Sequence, residues 1–222
     1  MPDIVTFEIR DNIAVIQMDD GKANALSPTM SKAIGAGLDI AAVDAKAIVL
    51  TGRPGVLCGG YDLRIIRGDD SAERDRMRAL GTELMKRLYL SPQPIVWACT
   101  GHAVAAGAIL LMAGAVRIGR RGDFKIGLNE TAIGLPLPQI GLEFARDRLS
   151  PSELQAATIM AKLYNPDEAV SAGYLDHVTE GDVFIEAIEE AKRLAQLDAI
   201  AFAATKNRLR QPTIDRVAIL HQ

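Results

Sequence analysis

The stretch Pro94-Ile95-Val96-Trp97-Ala98-Cys99-Thr100-Gly101-His102-Ala103-Val104-Ala105-Ala106-Gly107-Ala108 decides the fold. It opens with an unbroken apolar run too short for a helix, as expected of a strand covered on both faces. It then passes through glycine into small residues with helical character, continuing to Met112. Upstream, Ala47-Ile48-Val49-Leu50-Thr51 is a second run of the same kind, and residues 72–90 between the two read as helix. Val116-Arg117-Ile118 and Asp123-Phe124-Lys125-Ile126 follow as further strands. Strands alternating with helices predict an α/β core with parallel pairing.

Outward from this core the punctuation is regular. Val5, Phe7 and Ile9 alternate with polar residues up to Asp11-Asn12, and Ile13, Val15 and Ile16 resume, which predicts a hairpin. Ser27-Pro28 has the form of an N-cap followed by proline at the first helical position, opening a helix to about Ala41. Past residue 149 the character changes. Ser150-Pro151-Ser152-Glu153 and Asn165-Pro166-Asp167-Glu168 both have the form of a capping box, with Gly173 a C-cap for the second helix. His177 falls in a strand, and residues 182–197 and 199–210 are helical in pattern. The division is therefore an α/β core over 1–149 and a helical region over 150–222.

Composition excludes several classes. Hydrophobic residues make up 49% of the 222 and charged residues 24%, ordinary values for a globular chain. A net charge of -3 supplies no general attraction to nucleic acid or anionic membrane. The longest apolar run, Ala103 to Val116, is too short to span a bilayer. Met1-Pro2-Asp3 leads straight into strand-like sequence, so no signal peptide is expected, and Cys58 and Cys99 make no disulfide framework or metal motif. A cytoplasmic protein without a metal is the expectation.

Two small-residue segments are candidates for a site. Leu57-Cys58-Gly59-Gly60-Tyr61-Asp62-Leu63 follows a strand, and paired glycines let backbone approach a ligand closely. An ordinary loop explains them equally well. Gly101 to Ala108 opens a helix, whose free N–H groups suit developing negative charge, or whose small residues serve tight packing. Glu130, in Phe124-Lys125-Ile126-Gly127-Leu128-Asn129-Glu130-Thr131, adds a carboxylate that can move a proton or merely be solvated. His102 fits loop packing, His221 lies in the tail, and Glu143, Arg146 and Asp147 fit surface or subunit pairs. No dinucleotide, phosphate-loop or nucleophile-elbow motif is present.

Taken in order, these segments resemble the crotonase family, also called the enoyl-CoA hydratase/isomerase family. The resemblance runs from about Val5 to Arg210 and includes Gly21-Lys22-Ala23-Asn24-Ala25-Leu26, similar to the family's adenine-side loop. It also takes in Gly127 to Gly134 and the turn from Ser150 to Asp176. It implies a ββα spiral core with a C-terminal helical region, and a homotrimer or dimer of trimers contacting through those helices. It implies an acyl-CoA thioester substrate and no cofactor beyond the coenzyme A it carries. The amides of Tyr61 and Ala106 map onto the family's oxyanion hole, and Glu130 onto its base. Lys22, Ala23, Ala25, Gly59, Gly60, Asp62, Leu63, Gly107, Ile109, Thr131 and Leu135 fall on the substrate-binding positions. Arg64 falls where a basic residue meets the coenzyme phosphates, though a solvated surface arginine fits as well, with Lys22 and Lys206 weaker candidates.

One departure bears on the reaction. Hydratases of the family hold water between two glutamates, and here the first is Ile109. Loss of one acid/base group costs about 10²–10⁴-fold, so weak hydration is implied. Single-glutamate enoyl-CoA isomerases share the pattern Gly127-Leu128-Asn129-Glu130-Thr131, and Ile133, Leu135 and Leu137 are expected to desolvate the carboxylate. Other one-glutamate reactions, such as acyl-CoA hydrolysis or decarboxylation, and a non-catalytic coenzyme A-binding protein remain alternatives.

Overall fold

The structure is a computed structural model describing residues 3–219, so His221 lies outside the described residues. Two parallel systems form the core. A six-stranded sheet has the order β1 (Val5–Arg10), β2 (Ile13–Met18), β3 (Ala47–Thr51), β5 (Ile95–Cys99), β7 (Val116–Arg120) and β9 (His177–Thr179). Only the β1/β2 hairpin is antiparallel, turning through Asp11 and Asn12 at positive φ. A second sheet is short and wholly parallel, in the order β4 (Gly55–Cys58), β6 (Gly101–Val104), β8 (Ile126–Gly127).

The unbroken apolar strands are covered on both faces, as their composition requires. Ile48, Leu50, Ile95 and Trp97 point into the main core with α1 (Pro28–Asp44), α3 (Ser71–Leu90) and α4 (Ala106–Met112). Ala47, Val49, Val96, Ala98 and Ile118 point the other way, under Val183, Ala187, Ala191 and Leu194 of α8 (Val183–Leu194). A five-residue helix, α2 (Leu63–Arg67), follows β4, and α5 (Gln139–Arg148), α6 (Leu154–Thr158) and α7 (Pro166–Ala172) precede β9. Residues beyond 149 thus supply both an edge strand of the large sheet and the helix under one of its faces.

Local signals behave unevenly. Ser27 caps α1, its hydroxyl accepting from the Met30 amide, and Asn165 with Glu168 forms the reciprocal box at α7, which ends at Gly173 with φ 94°. The box expected at Ser150 does not form. The Glu153 carboxylate accepts instead from the Tyr164 hydroxyl (2.9 Å) and Lys162, residues 151–153 make a turn, and α6 starts only at Leu154. The strand expected over 123–126 shrinks to Ile126–Gly127. The Lys125 amide donates to His102 Nδ1 (2.9 Å) rather than to a ladder carbonyl, and Phe124 turns back onto Gly122.

The last helix, α9 (Ala199–Ile219), runs past the expected end at 210 and through Pro212. A proline inside a helix costs about 3 kcal/mol, offset here by docking. Ile214 and Val217 are buried, and Arg216 pairs with the buried Glu143 of α5. Arg210 donates to the carbonyls of Tyr89, Ala113 and Gly114, and Lys206 to those of Ser91 and Gln93. The carbonyls of Tyr89, Ala113 and Gly114 lie at the ends of α3 and α4, where the Arg210 cation meets the negative dipole ends. Burial, then the charges of Arg210 and Arg148, pushes Lys206 down to about 6. Lys206 therefore anchors α9 and does not belong to the pool of charge expected for a coenzyme. Arg210→Ala is expected to lower stability by roughly 3 kcal/mol, because three buried carbonyls lose a charged donor. Chemical denaturation checks this, and a loss below about 0.5 kcal/mol would contradict it.

Candidate active site

The three strands of the small sheet run in one direction, so their C-terminal ends share one edge. Cys58 pairs with Ala103 and Val104 with Gly127. One to three residues past the strand ends stand Gly60-Tyr61, Ala105-Ala106 and Asn129-Glu130. Register alone therefore brings both small-residue segments and the carboxylate to one place, the edge at which parallel sheets bind ligands.

Packing brings the first two segments into contact. A Cβ placed on Gly60, whose φ is +97°, would lie 2.9 Å from the Ala105 Cβ and 3.6 Å from the Ala106 nitrogen. Ala105 adopts φ 50°, ψ −126°, a conformation costly for a residue with a Cβ, and its amide donates to Gly127 O (3.0 Å). That turn leaves the Ala106 amide free at the start of α4. Among the described residues neither the Ala106 nor the Tyr61 amide finds an acceptor. Gly107 lies hard against Cys58, where a Cβ would meet its carbonyl oxygen at 2.2 Å, so packing also explains that glycine.

Glu130 precedes a short 3₁₀ turn, Thr131–Ile133, and is 7% exposed, with Oε2 buried and without a hydrogen-bond partner. Burial raises its pKa above the ordinary glutamate range, while its own amide and that of Asn129 pull the other way. Of the apolar residues expected to desolvate it, Ile133 is exposed while Leu135 and Leu137 are half-buried, and the Leu135 amide donates to Glu130 O (3.0 Å). Tyr174, fully buried, is near enough to feel the Glu130 charge. Thr131 is exposed, its hydroxyl donating to Thr158 O (3.3 Å). Ile109 is fully buried, and its Cδ1 stands 2.9 Å from where a Gly141 Cβ would be, beside Leu137.

The loop before α1 docks on the same edge. The Gly59 amide donates to Ala23 O and the Leu26 amide to Gly60 O, both at 2.8 Å. Lys22 and Ala23 are exposed and Ala25 is half-buried. Asn24, passed over in the sequence, holds this loop in place. It is completely buried at φ 50°, its Nδ2 donating to Met18 O and Leu57 O (3.1 Å each). Its signal was an asparagine close to glycine in a turn, the residue that tolerates left-handed backbone and bonds main chain locally. Asp62 caps α2 and grips Arg64 through both carboxylate oxygens (2.7 and 3.1 Å), which lowers the Asp62 pKa. The Arg64 side chain is 86% exposed and Leu63 is also exposed. Among the described residues no group of three or more His, Cys, Asp and Glu converges as metal ligands, and no helix is long and apolar enough to cross a membrane.

Two free amides beside a desolvated carboxylate, on a parallel-strand edge, define a site suited to holding an oxyanion and moving a proton. The comparisons with known proteins agree in class. The profile of the enoyl-CoA hydratase/isomerase family matches residues 8–219. A probable enoyl-CoA hydratase of Rhodobacter capsulatus is 30% identical over 91% of this chain and 79% of its own length. A Mycobacterium tuberculosis protein, called an enoyl-CoA isomerase in one solved structure and a probable enoyl-CoA hydratase in another, is 40% identical in both, with a TM-score of 0.94, the first covering 99% of this chain and 96% of that one. Human mitochondrial delta3-delta2-enoyl-CoA isomerase is 26% identical at a TM-score of 0.94, covering 99% and 88%. The chain belongs to the enoyl-CoA hydratase/isomerase family and has the crotonase fold.

Proposed function

We propose that this enzyme shifts the double bond of a 3-enoyl-CoA thioester to position 2. Glu130 removes a proton from C2, the amides of Tyr61 and Ala106 hold the enolate oxygen, and Glu130 returns the proton at C4 as the double bond moves between C2 and C3. One carboxylate suffices, because the same group is base and then acid. The observation that carries the reading is a desolvated Glu130 together with a fully buried Ile109 in the first turn of α4. Water addition needs a second acid/base group, and Ile109 supplies only methyls packed on α5.

Relatives carry both names, hydratase and isomerase, so the product decides. A panel of 3-enoyl, 2-enoyl and 3-hydroxyacyl thioesters is expected to give double-bond migration, with hydration of crotonyl-CoA at least about 10²-fold slower than in a two-glutamate hydratase. Robust water addition would overturn the assignment, as would release of free CoA or of carbon dioxide.

The loop Lys22–Ala25 and Arg64 are proposed to meet the coenzyme. Arg64 already takes a fixed orientation from Asp62, leaving its outer face to a phosphate. Arg64→Ala is expected to raise KM for CoA thioesters several-fold at low ionic strength with kcat unchanged. The effect shrinks at high salt because the contact is exposed. An unchanged KM at low salt returns Arg64 to the solvated surface. Exposed Ile200 and Leu209 leave apolar surface on α9 for a subunit contact, and the trimer or dimer of trimers that the family resemblance implies is checked by sedimentation.

A further inference from the structure

The wall beside Tyr61 is polar, and α3 provides it. The Tyr61 ring lies in a gap left by Gly81, where a Cβ would stand 2.4 Å from its hydroxyl oxygen and 2.6 Å from Cε1. No side chain at 81 is compatible with that ring position. Thr82 faces the hydroxyl, and Arg78, three and four residues before Gly81 and Thr82, shares their helical face. The phenol is pushed up to about 12, chiefly by burial, against the lowering influence of Thr82 and Arg78, so it keeps its proton at neutral pH. The charge of Glu130 also reaches it. Arg78 is exposed, and among the described residues no carboxylate pairs with it.

A plain alkenyl chain laid along this wall would strip water from the exposed guanidinium and offer no partner to it or to the two hydroxyls. A carboxylate in the same place receives charge-assisted hydrogen bonds from all three. Tyr61 connects the ends of such a substrate, its amide at the thioester and its phenol one side-chain length away. We propose that Arg78, with the Tyr61 and Thr82 hydroxyls, selects an acyl group that ends in a carboxylate, so that the substrate is a CoA monothioester of a short dicarboxylic acid. This rests on the reading of the Glu130 edge as the reaction centre.

The test uses saturated ligands, which need no turnover. Binding of adipoyl-CoA and hexanoyl-CoA is measured by calorimetry, with free CoA as reference. Adipoyl-CoA is expected to bind at least about tenfold more tightly, the scale of one hydrogen bond to a charged group. Arg78→Met is expected to abolish that preference and leave hexanoyl-CoA unchanged, while Arg78→Lys keeps part of it. Equal or tighter binding of hexanoyl-CoA to the native protein overturns the proposal. So does an equal loss for both ligands in Arg78→Met, which places Arg78 on the coenzyme instead. If the adipoyl preference holds and no 3-enoyl thioester is isomerised, the carboxylate site stands and the isomerase reading fails. If a 3-enoyl thioester is isomerised and the adipoyl preference is absent, the isomerase reading stands and the carboxylate site fails.

Discussion

Glu130→Gln is expected to lower turnover of a 3-enoyl thioester by at least about 10²-fold while thioester affinity is retained. Glutamine keeps the shape of the side chain, and the Tyr61 and Ala106 amides still meet the carbonyl oxygen, so only proton transfer is lost. The pH profile carries the same signature. Because burial raises the Glu130 pKa, the acid limb of kcat/KM in the native enzyme is expected above the ordinary glutamate range. Stability follows with the opposite sense. The folded state holds the Glu130 proton more tightly than the unfolded chain, so stability falls as pH rises between the ordinary and the raised value. Glu130→Gln removes that loss, so the variant is expected to be more stable than the native protein at neutral pH and to lose the advantage in acid. Turnover at the native rate would remove Glu130 from the mechanism.

Gly60→Ala is expected to lower kcat by about 10²–10³-fold, the cost of losing one oxyanion donor. Gly60 sits at φ +97°, and a new Cβ would lie 2.9 Å from the Ala105 Cβ and 3.3 Å from Val104 O. Relief requires the Gly60-Tyr61 loop to move away from Ala105-Ala106, which separates the two amides. Gly55→Ala is the control. Gly55 also has positive φ (+86°), but nothing lies within 4 Å of its missing Cβ. It is expected to cost some stability and no activity. Equal loss of kcat in both variants would mean that backbone strain, and not the approach of the two loops, explains the result.

The large sheet was legible because its strands carry the pattern that burial demands. Ala47–Thr51 and Ile95–Cys99 are apolar on both faces, and each face meets a separate layer. The small sheet was legible only in part, through the run 123–126 that reaches β8 at Ile126. Gly55–Cys58 and Gly101–Val104 span four residues each, and Ile126–Gly127 only two, too short for any alternation to register. Their glycines mark close approach instead, as at Gly101, where a Cβ would fall 2.1 Å from the Gly55 carbonyl. The residues past those strand ends were legible only through family order, since no local pattern says that Gly60, Ala106 and Glu130 meet. Gly81 was missed although an isolated glycine inside a helical stretch asks for a packing reason. The Ser150 box failed because Tyr164, eleven residues past Glu153, takes its carboxylate. A capping signal read locally cannot register a competitor brought in by the fold.

Proton transfer from C2 to C4 by one carboxylate, across an enolate held by two backbone amides, is read from an isotopic label: a C2-dideuterated 3-enoyl-CoA is followed through native enzyme and Glu130→Gln. The native enzyme is expected to give the 2-enoyl product with one deuteron kept at C2 and the other partly at C4 and partly exchanged into solvent, and Glu130→Gln is expected to leave both deuterons at C2. Deuterium lost from C2 as fast in Glu130→Gln as in the native enzyme would contradict the account.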